Sequence, residues 1–222
     1  MKQGSLSRKD DEGNKDSVSL IFQNSIKNLR YREGIKEVEK EIRRHPELAD
    51  APAFYKLGFL SDHAALYCRG AKKKKEFEEK AIAFYKCSLK INPDYYNAIW
   101  GIGRVWWHRN SVRAIPYAVK AYELHKKETG SNSFAQNVGS VYADVGDYRN
   151  AEKWFKKALR DGKKENIWAY LALVKLYGKE GAANKEKKYR RMLSALFKKQ
   201  SIAFRKGSMG DSIARVLNQN GL

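Results

Sequence analysis

Cysteine is nearly absent from this sequence. Cys68 and Cys87 are the two in 222 residues, too few for a disulfide framework, and neither belongs to a Cys-x-x-Cys ligand pair. Cys87 lies on an apolar helical face and reads as a small core residue. Histidine is scarce as well. His45, His63, His108 and His125 are scattered, with no His-x-x-x-His pair and no acidic partner at ligand spacing, so no metal site is expected. No Gly-rich loop resembles a phosphate cradle, because Gly101-x-Gly103 falls inside a helical pattern where small residues have a packing reason. No apolar run approaches the ~20 residues that span a bilayer. The start, MKQGSLSRKDDEGNKD, lacks the apolar segment of a secretory signal; residues 1–16 read as a flexible polar tail, and a cytoplasmic location is the default expectation. With none of the constellations that catalysis needs, the sequence predicts no enzyme, no catalytic residues and no cofactor.

What is abundant is positive charge. Forty-five Lys and Arg against 25 Asp and Glu give a formal charge of +20, which attracts something acidic without saying whether that is nucleic acid, anionic lipid or protein. A composition of 42% hydrophobic and 32% charged residues suits helices that each keep one wet face.

The helices come in pairs. In SFAQNVGSVYADVGDYRNAEKWFKKAL, Ala135, Val138, Gly139 and Tyr142 fall on one helical face, Gly146-Asp147-Tyr148 makes a turn, and Ala151, Phe155 and Ala158 form the facing stripe of a second helix. Ile99, Ile102, Gly103 and Trp106 repeat the first stripe, followed by Ala114, Ala118 and Ala121. Phe54, Leu57 and Gly58 repeat it again, paired with Ala81, Tyr85, Ser88 and Leu89 and ended by Asn92-Pro93. Tyr170, Leu173, Val174 and Tyr177 give a later copy, turning at Gly181. Val18, Ile21, Phe22 and Leu29, after a possible Ser17 cap, with Ile35, Val38 and Ile42 before His45-Pro46, give a degenerate first one.

This pattern resembles the tetratricopeptide repeat. The resemblance implies an all-α fold: a right-handed superhelical stack of about five antiparallel helix pairs over residues 17–199, each burying its apolar face on its neighbours. Residues 200–222 are expected to cap the stack, or else to dock in a groove of this or a second copy and so make a homo-oligomer, with Ile213, Val216 and Leu217 as the apolar stripe. Resemblance also implies that first helices line a concave, peptide-holding surface. Carried by register, that surface is Tyr55, Phe59, Asn97, Trp100, Arg104, Trp107, His108, Gln136, Asn137, Ser140 and Lys175, with Ser133 and Leu171 beside them. Trp106 belongs to the packed seam, whereas Trp100, Arg104 and Trp107, spaced four and three, share another face and have the composition of interface anchors; packing against the second hairpin is the competing role for the tryptophans. The lysine and asparagine set by which some members of the family grip a partner's terminal carboxylate is not matched.

Two basic stretches are not required by the repeat. An insertion of eleven residues lengthens the second hairpin over about 60–80, with Lys72, Lys73, Lys74 and Lys75 expected at its tip and Glu76, Glu78 and Glu79 at the following helix start. Lys185, Lys187, Lys188, Arg190 and Arg191 line a late helix. The favoured reading is therefore a protein-binding scaffold or adaptor whose partner is acidic or has acidic flanks. Nucleic-acid or anionic-surface binding through the basic patches is the alternative, carried by charge alone.

Overall fold

The structure, a computed structural model, describes residues 7–160, 166–205 and 207–218, and every regular element among them is helical. The expected single repeat domain divides into two compact units, Met1–Leu124 and His125–Leu222.

The first unit holds α1 (Ser7–Lys27), α2 (Tyr31–Arg44), a short 3-10 turn at Pro46–Leu48, α3 (Ala51–Leu66), α4 (Ala71–Ile91), α5 (Tyr96–His108) and the start of α6 (Ala114–Thr129). Helix α1 takes in residues 7–16, expected from the sequence to be a tail, and Ser17 lies in mid-helix and not at a helix start; residues 1–6 of that stretch lie outside the described residues. The degenerate first pair is real. Val18 of α1 packs with Ile35 and Val38 of α2 and with Leu57 and Leu60 of α3 in one apolar cluster. Each boundary has a local cause. Asp50 caps α3 by accepting from the Ala53 N–H at 2.8 Å, and Pro93 follows the last turn of α4 after Asn92.

The lengthened hairpin departs from expectation at its tip. Its helices run 16 and 21 residues, and the turn between them is Tyr67–Gly70, with Gly70 at φ 95°. The four lysines occupy the opening residues of α4, not the loop, and Glu76, Glu78 and Glu79 lie too far along the helix to serve its dipole. Glu78 is instead buried and accepts from Arg109 Nε at 2.9 Å. Gly58, in the repeat register, and Gly101, outside it, are both close-approach sites, while the register glycine of α5, Gly103, faces the Tyr117 side chain, 2.8 Å from an added Cβ. A Cβ on Gly58 or on Gly101 would lie 2.5 or 2.4 Å from the Tyr85 ring, so that ring is seated between α3 and α5 where only hydrogen leaves room.

The second unit holds the end of α6, then α7 (Ala135–Asp144), α8 (Tyr148–Ala158), α9 (Ile167–Lys179), α10 (Ala183–Lys198), α11 (Ile202–Arg205) and α12 (Ser208–Asn218). Asp147 accepts from the Asn150 N–H at 3.0 Å and starts α8. Phe155 of α8 covers Gly139 of α7, whose added Cβ would sit 2.5 Å from the ring. Tyr177 of α9 donates to Glu152 of α8 at 2.8 Å, tying successive pairs together. At the far end Ile213 of α12 is fully buried with Leu193 of α10 and with Ile167, Tyr170, Leu171 and Val174 of α9, so α12 covers the last pair of its own unit.

Candidate binding surface

Seven of the groove residues expected from register belong to the first unit and four to the second. In the first unit they come from α3 and α5, and most of them touch. Tyr55 and Phe59 stand one turn apart on α3 with ring centres 6.2 Å apart, and the Arg104 guanidinium of α5 lies over Phe59 at 4.8 Å. Trp100 and Trp107, two turns apart on α5, meet with centres 5.7 Å apart, and the His108 ring lies almost parallel to Trp107 at 6.2 Å. Trp100, Trp107 and Asn97 are half-buried and His108 is exposed. Trp106 belongs to the packed side, as expected: it lies against the cluster of Ala81, Tyr85, Ile102 and Val105, with Arg109 and Arg113 over its ring.

Arg104 is not the free cation that a partner's carboxylate would meet. Asp62 of α3, whose side chain is 1% exposed, accepts from Arg104 Nε at 2.9 Å and from Nη2 at 2.5 Å. Burial disfavours the guanidinium charge, but Asp62 together with Tyr85 and Tyr55 outweighs it and the group is held above its ordinary range. Arg104 therefore acts as a strut that fixes α5 to α3 and shapes the Phe59 face. Asp62 was missed in the sequence although its signal was there: seven residues after Tyr55 and three after Phe59, it is the acid on their helical stripe in an otherwise apolar run.

His63 completes this surface. Its ring stacks on Phe59 at 3.9 Å between centres, and its Nδ1 lies 3.0 Å from the Phe59 carbonyl. A carbonyl only accepts, so Nδ1 carries the proton and the nearby Arg104 Nη2, 3.4 Å away, is an electrostatic neighbour and not a donor to it. Burial first and Arg104 second push His63 below the ordinary histidine range. Partial desolvation of its otherwise exposed ring lowers His108, with Arg104 and Lys74 reinforcing and Asp62 and Glu78 opposing. Both rings are thus neutral at pH 7, and the surface presents aromatic faces with little net charge. Such a surface can hold an apolar or aromatic segment and offer an imidazole hydrogen bond.

In the second unit Gln136 and Asn137 line a cleft of about 770 Å³ together with Phe134, Asn166 and Trp168. Ser140 and Lys175 do not line it; Ser140 is half-buried and Lys175 exposed. Leu171, expected beside them, is buried under α12. Phe134, Asn166 and Trp168 were not predicted. They lie just before or within the first turns of α7 and α9, where the repeat pattern says nothing.

The two basic stretches fare differently. Lys72, Lys73 and Lys75 are exposed, while Lys74 is half-buried beside Glu78. On α10, Lys187, Lys188 and Arg191 are exposed, but Arg190 is buried and spends its guanidinium on Glu186 and on the Val216 carbonyl of α12. Arg190 is therefore a clamp for the end of the fold and is removed from the expected basic patch. Among the described residues no group of three or more His, Cys, Asp or Glu is placed to hold a metal, and no helix is long and apolar enough to cross a membrane.

No protein-family model and no curated protein matches the sequence. Solved structures do. A thermophilic tetratricopeptide-repeat protein from Thermus thermophilus superposes with a TM-score of 0.61 at 15% identity, over 72% of this chain and 81% of that one. MamA from Desulfovibrio magneticus gives 0.61 at 15% identity, over 85% and 97%. YrrB, described as a tetratricopeptide-repeat protein with an unusual peptide-binding site, gives 0.53 at 14%, over 87% and 92%. Likeness at this identity is a likeness of fold, and the fold is the tetratricopeptide-repeat arrangement of stacked helical hairpins.

Proposed function

We propose that this chain, with its tetratricopeptide-repeat fold, is a protein-binding scaffold that holds a partner segment on the α3/α5 surface of the first unit. The observation that carries the reading is the set of half-buried aromatic rings, Phe59, Trp100 and Trp107, with His108 beside them. They stand on the helix faces that the Gly58 and Gly101 seam does not use. Rings of this kind are where interfaces concentrate their energy, because each buries a large area while losing few torsions. The Asp62–Arg104 pair serves by holding Phe59 and His63 in place before a partner arrives, which lowers the ordering cost of binding. Anchoring is therefore aromatic, and the chain's +20 charge acts at longer range by speeding encounter with a partner that is acidic or flanked by acids. The role we propose is binding and not catalysis: Asp62 and Arg104 are committed to each other, and the His63 Nδ1 to the Phe59 carbonyl.

A peptide-display selection against the full chain tests this. Selected peptides should carry an aromatic or large apolar anchor, and Trp100→Ala with Trp107→Ala should weaken them about tenfold or more while the far-UV circular dichroism is unchanged. Selected peptides that bind the double variant as tightly as the parent would overturn the assignment.

A further inference from the structure

The turn of the lengthened hairpin borders an open pocket of about 400 Å³, lined among others by Tyr31 and Arg32 of α2, Tyr67 and Arg69 of the turn, and Lys73 of α4. Its volume lies in the range of small-ligand pockets. Tyr67 is 66% exposed and stacks on buried Tyr31 at 5.5 Å and 15° from parallel, so one face of its ring is spent and the other is open. Arg32 is held in place by a hydrogen bond to Cys68 Sγ at 3.3 Å and by the Phe77 ring at 5.3 Å. Arg69 and Lys73 are exposed and have no ion pair among the described residues. Glu33 also lines the pocket, so three cations stand against one acid.

The same place breaks a local rule. Lys72 and Lys73 lie in the first turn of α4, the positive end of its dipole, and its N-cap Gly70 supplies no side-chain cap. A lysine pair there lowers helix stability, and an anion set against it offsets that cost. Repeats of this kind pack without such a turn, as the shorter α7/α8 hairpin shows, so packing does not explain it.

We propose that this turn is a binding site for single-stranded nucleic acid: one base stacks on the open face of Tyr67 at the mouth of the pocket, and the adjoining phosphates are held by Arg32, Arg69 and Lys73, with Lys72 and Lys75 extending the track. A stacking ring beside a row of cations is the arrangement that binds single strands with little sequence preference. An acidic peptide satisfies the cations but leaves the ring unused, which is why the nucleic acid is favoured over a protein partner here. The site is distinct from the α3/α5 surface and stands or falls separately from it.

Fluorescence anisotropy of the full chain with a labelled uridine decamer tests the proposal, with inorganic polyphosphate and polyglutamate as competitors, at about 50 and 200 mM salt. The decamer should bind at the lower salt and be displaced by unlabelled decamer better than by either competitor. Tyr67→Ala should weaken it about fivefold or more, while Tyr67→Phe retains it. Arg69→Ala with Lys73→Ala should flatten the log–log salt slope by roughly 1.4, about 0.7 per phosphate contact. No decamer binding at the lower salt, unchanged affinity in Tyr67→Ala with the fold intact, or preferential displacement by polyphosphate or polyglutamate would each overturn it.

Discussion

The α3/α4 and α7/α8 hairpins obey the same packing rule and differ in everything added to it. In both, a glycine of the first helix lies under an aromatic ring of the second, Gly58 under Tyr85 and Gly139 under Phe155. The α7/α8 hairpin stops there, at 10 and 11 residues. Its ion pair, Glu152 with Lys156, lies at the surface. The α3/α4 hairpin extends to 16 and 21 residues, buries Asp62 against Arg104, and ends in a cationic turn. One hairpin spends its residues on stacking. The other adds a buried ion pair that ties α3 to α5 and a cationic turn that stacking does not need, and binding is expected beside them.

The largest effect should separate the two ion pairs. Removing Asp62 by Asp62→Ala leaves Arg104 uncompensated in the packed interior and should cost about 3–5 kcal/mol in urea unfolding. Lys156→Ala, at a pair whose lysine is 44% exposed, should cost less than about 1 kcal/mol. Equal costs would erase the distinction. Next in size, Gly58→Leu and Gly139→Leu should each cost about 1–3 kcal/mol by overpacking, since the shared rule operates in both hairpins. A variant of either kind that keeps parental stability would show that its ring moves aside freely.

Acid should also discriminate. His63 and His108 titrate near 6.5 in the unfolded chain and lower in the fold, so on acidification through that range the unfolded state binds protons the folded state refuses. Stability is therefore fully present above about pH 7 and declines as pH falls through 6.5 toward the lowered folded values. Melting temperatures of the parent should drop between about pH 7.5 and 5.5, and those of the His63→Gln, His108→Gln double variant should drop less. The smallest effect has the opposite sign. Lys72→Glu and Lys73→Glu should each stabilise the protein by about 0.3–1 kcal/mol by serving the α4 dipole, at the expense of anion binding. Loss of stability would mean the lysines have a structural task.

These contrasts follow how far the sequence could be read. The stripes of small and bulky residues gave the helix pairs because a stacked hairpin must satisfy them locally, and Gly139, Phe155 and Ala151 are visible as a set. Helical periodicity sets Trp100, Arg104 and Trp107 on one face of α5, and the structure brings Trp100 to Trp107 and Arg104 to Phe59. Periodicity could not show that Arg104 is spent on Asp62, because the two are 42 residues apart and meet only through α3 and α5 packing. Arg190 was misread for the same reason: as one of five basic residues in a row of seven positions it looked solvated, and its partner Val216 lies on another helix. Helix lengthening from both sides puts the lysine run at the hairpin tip in the sequence, whereas α4 begins at Ala71 and takes the run in. Periodicity alone continues the apolar run of α3 through Tyr67, whereas the helix ends at Leu66 and leaves Tyr67 exposed in the turn with Arg69.

The central claim is that Trp107 serves a partner and not the core, and unfolding free energy set beside affinity for a selected peptide tests it most directly. For Trp107→Ala the account predicts about 1 kcal/mol or less lost from folding and about tenfold or more lost from binding. A folding loss of about 3–5 kcal/mol, as for a core tryptophan, with affinity per folded molecule unchanged, would contradict it.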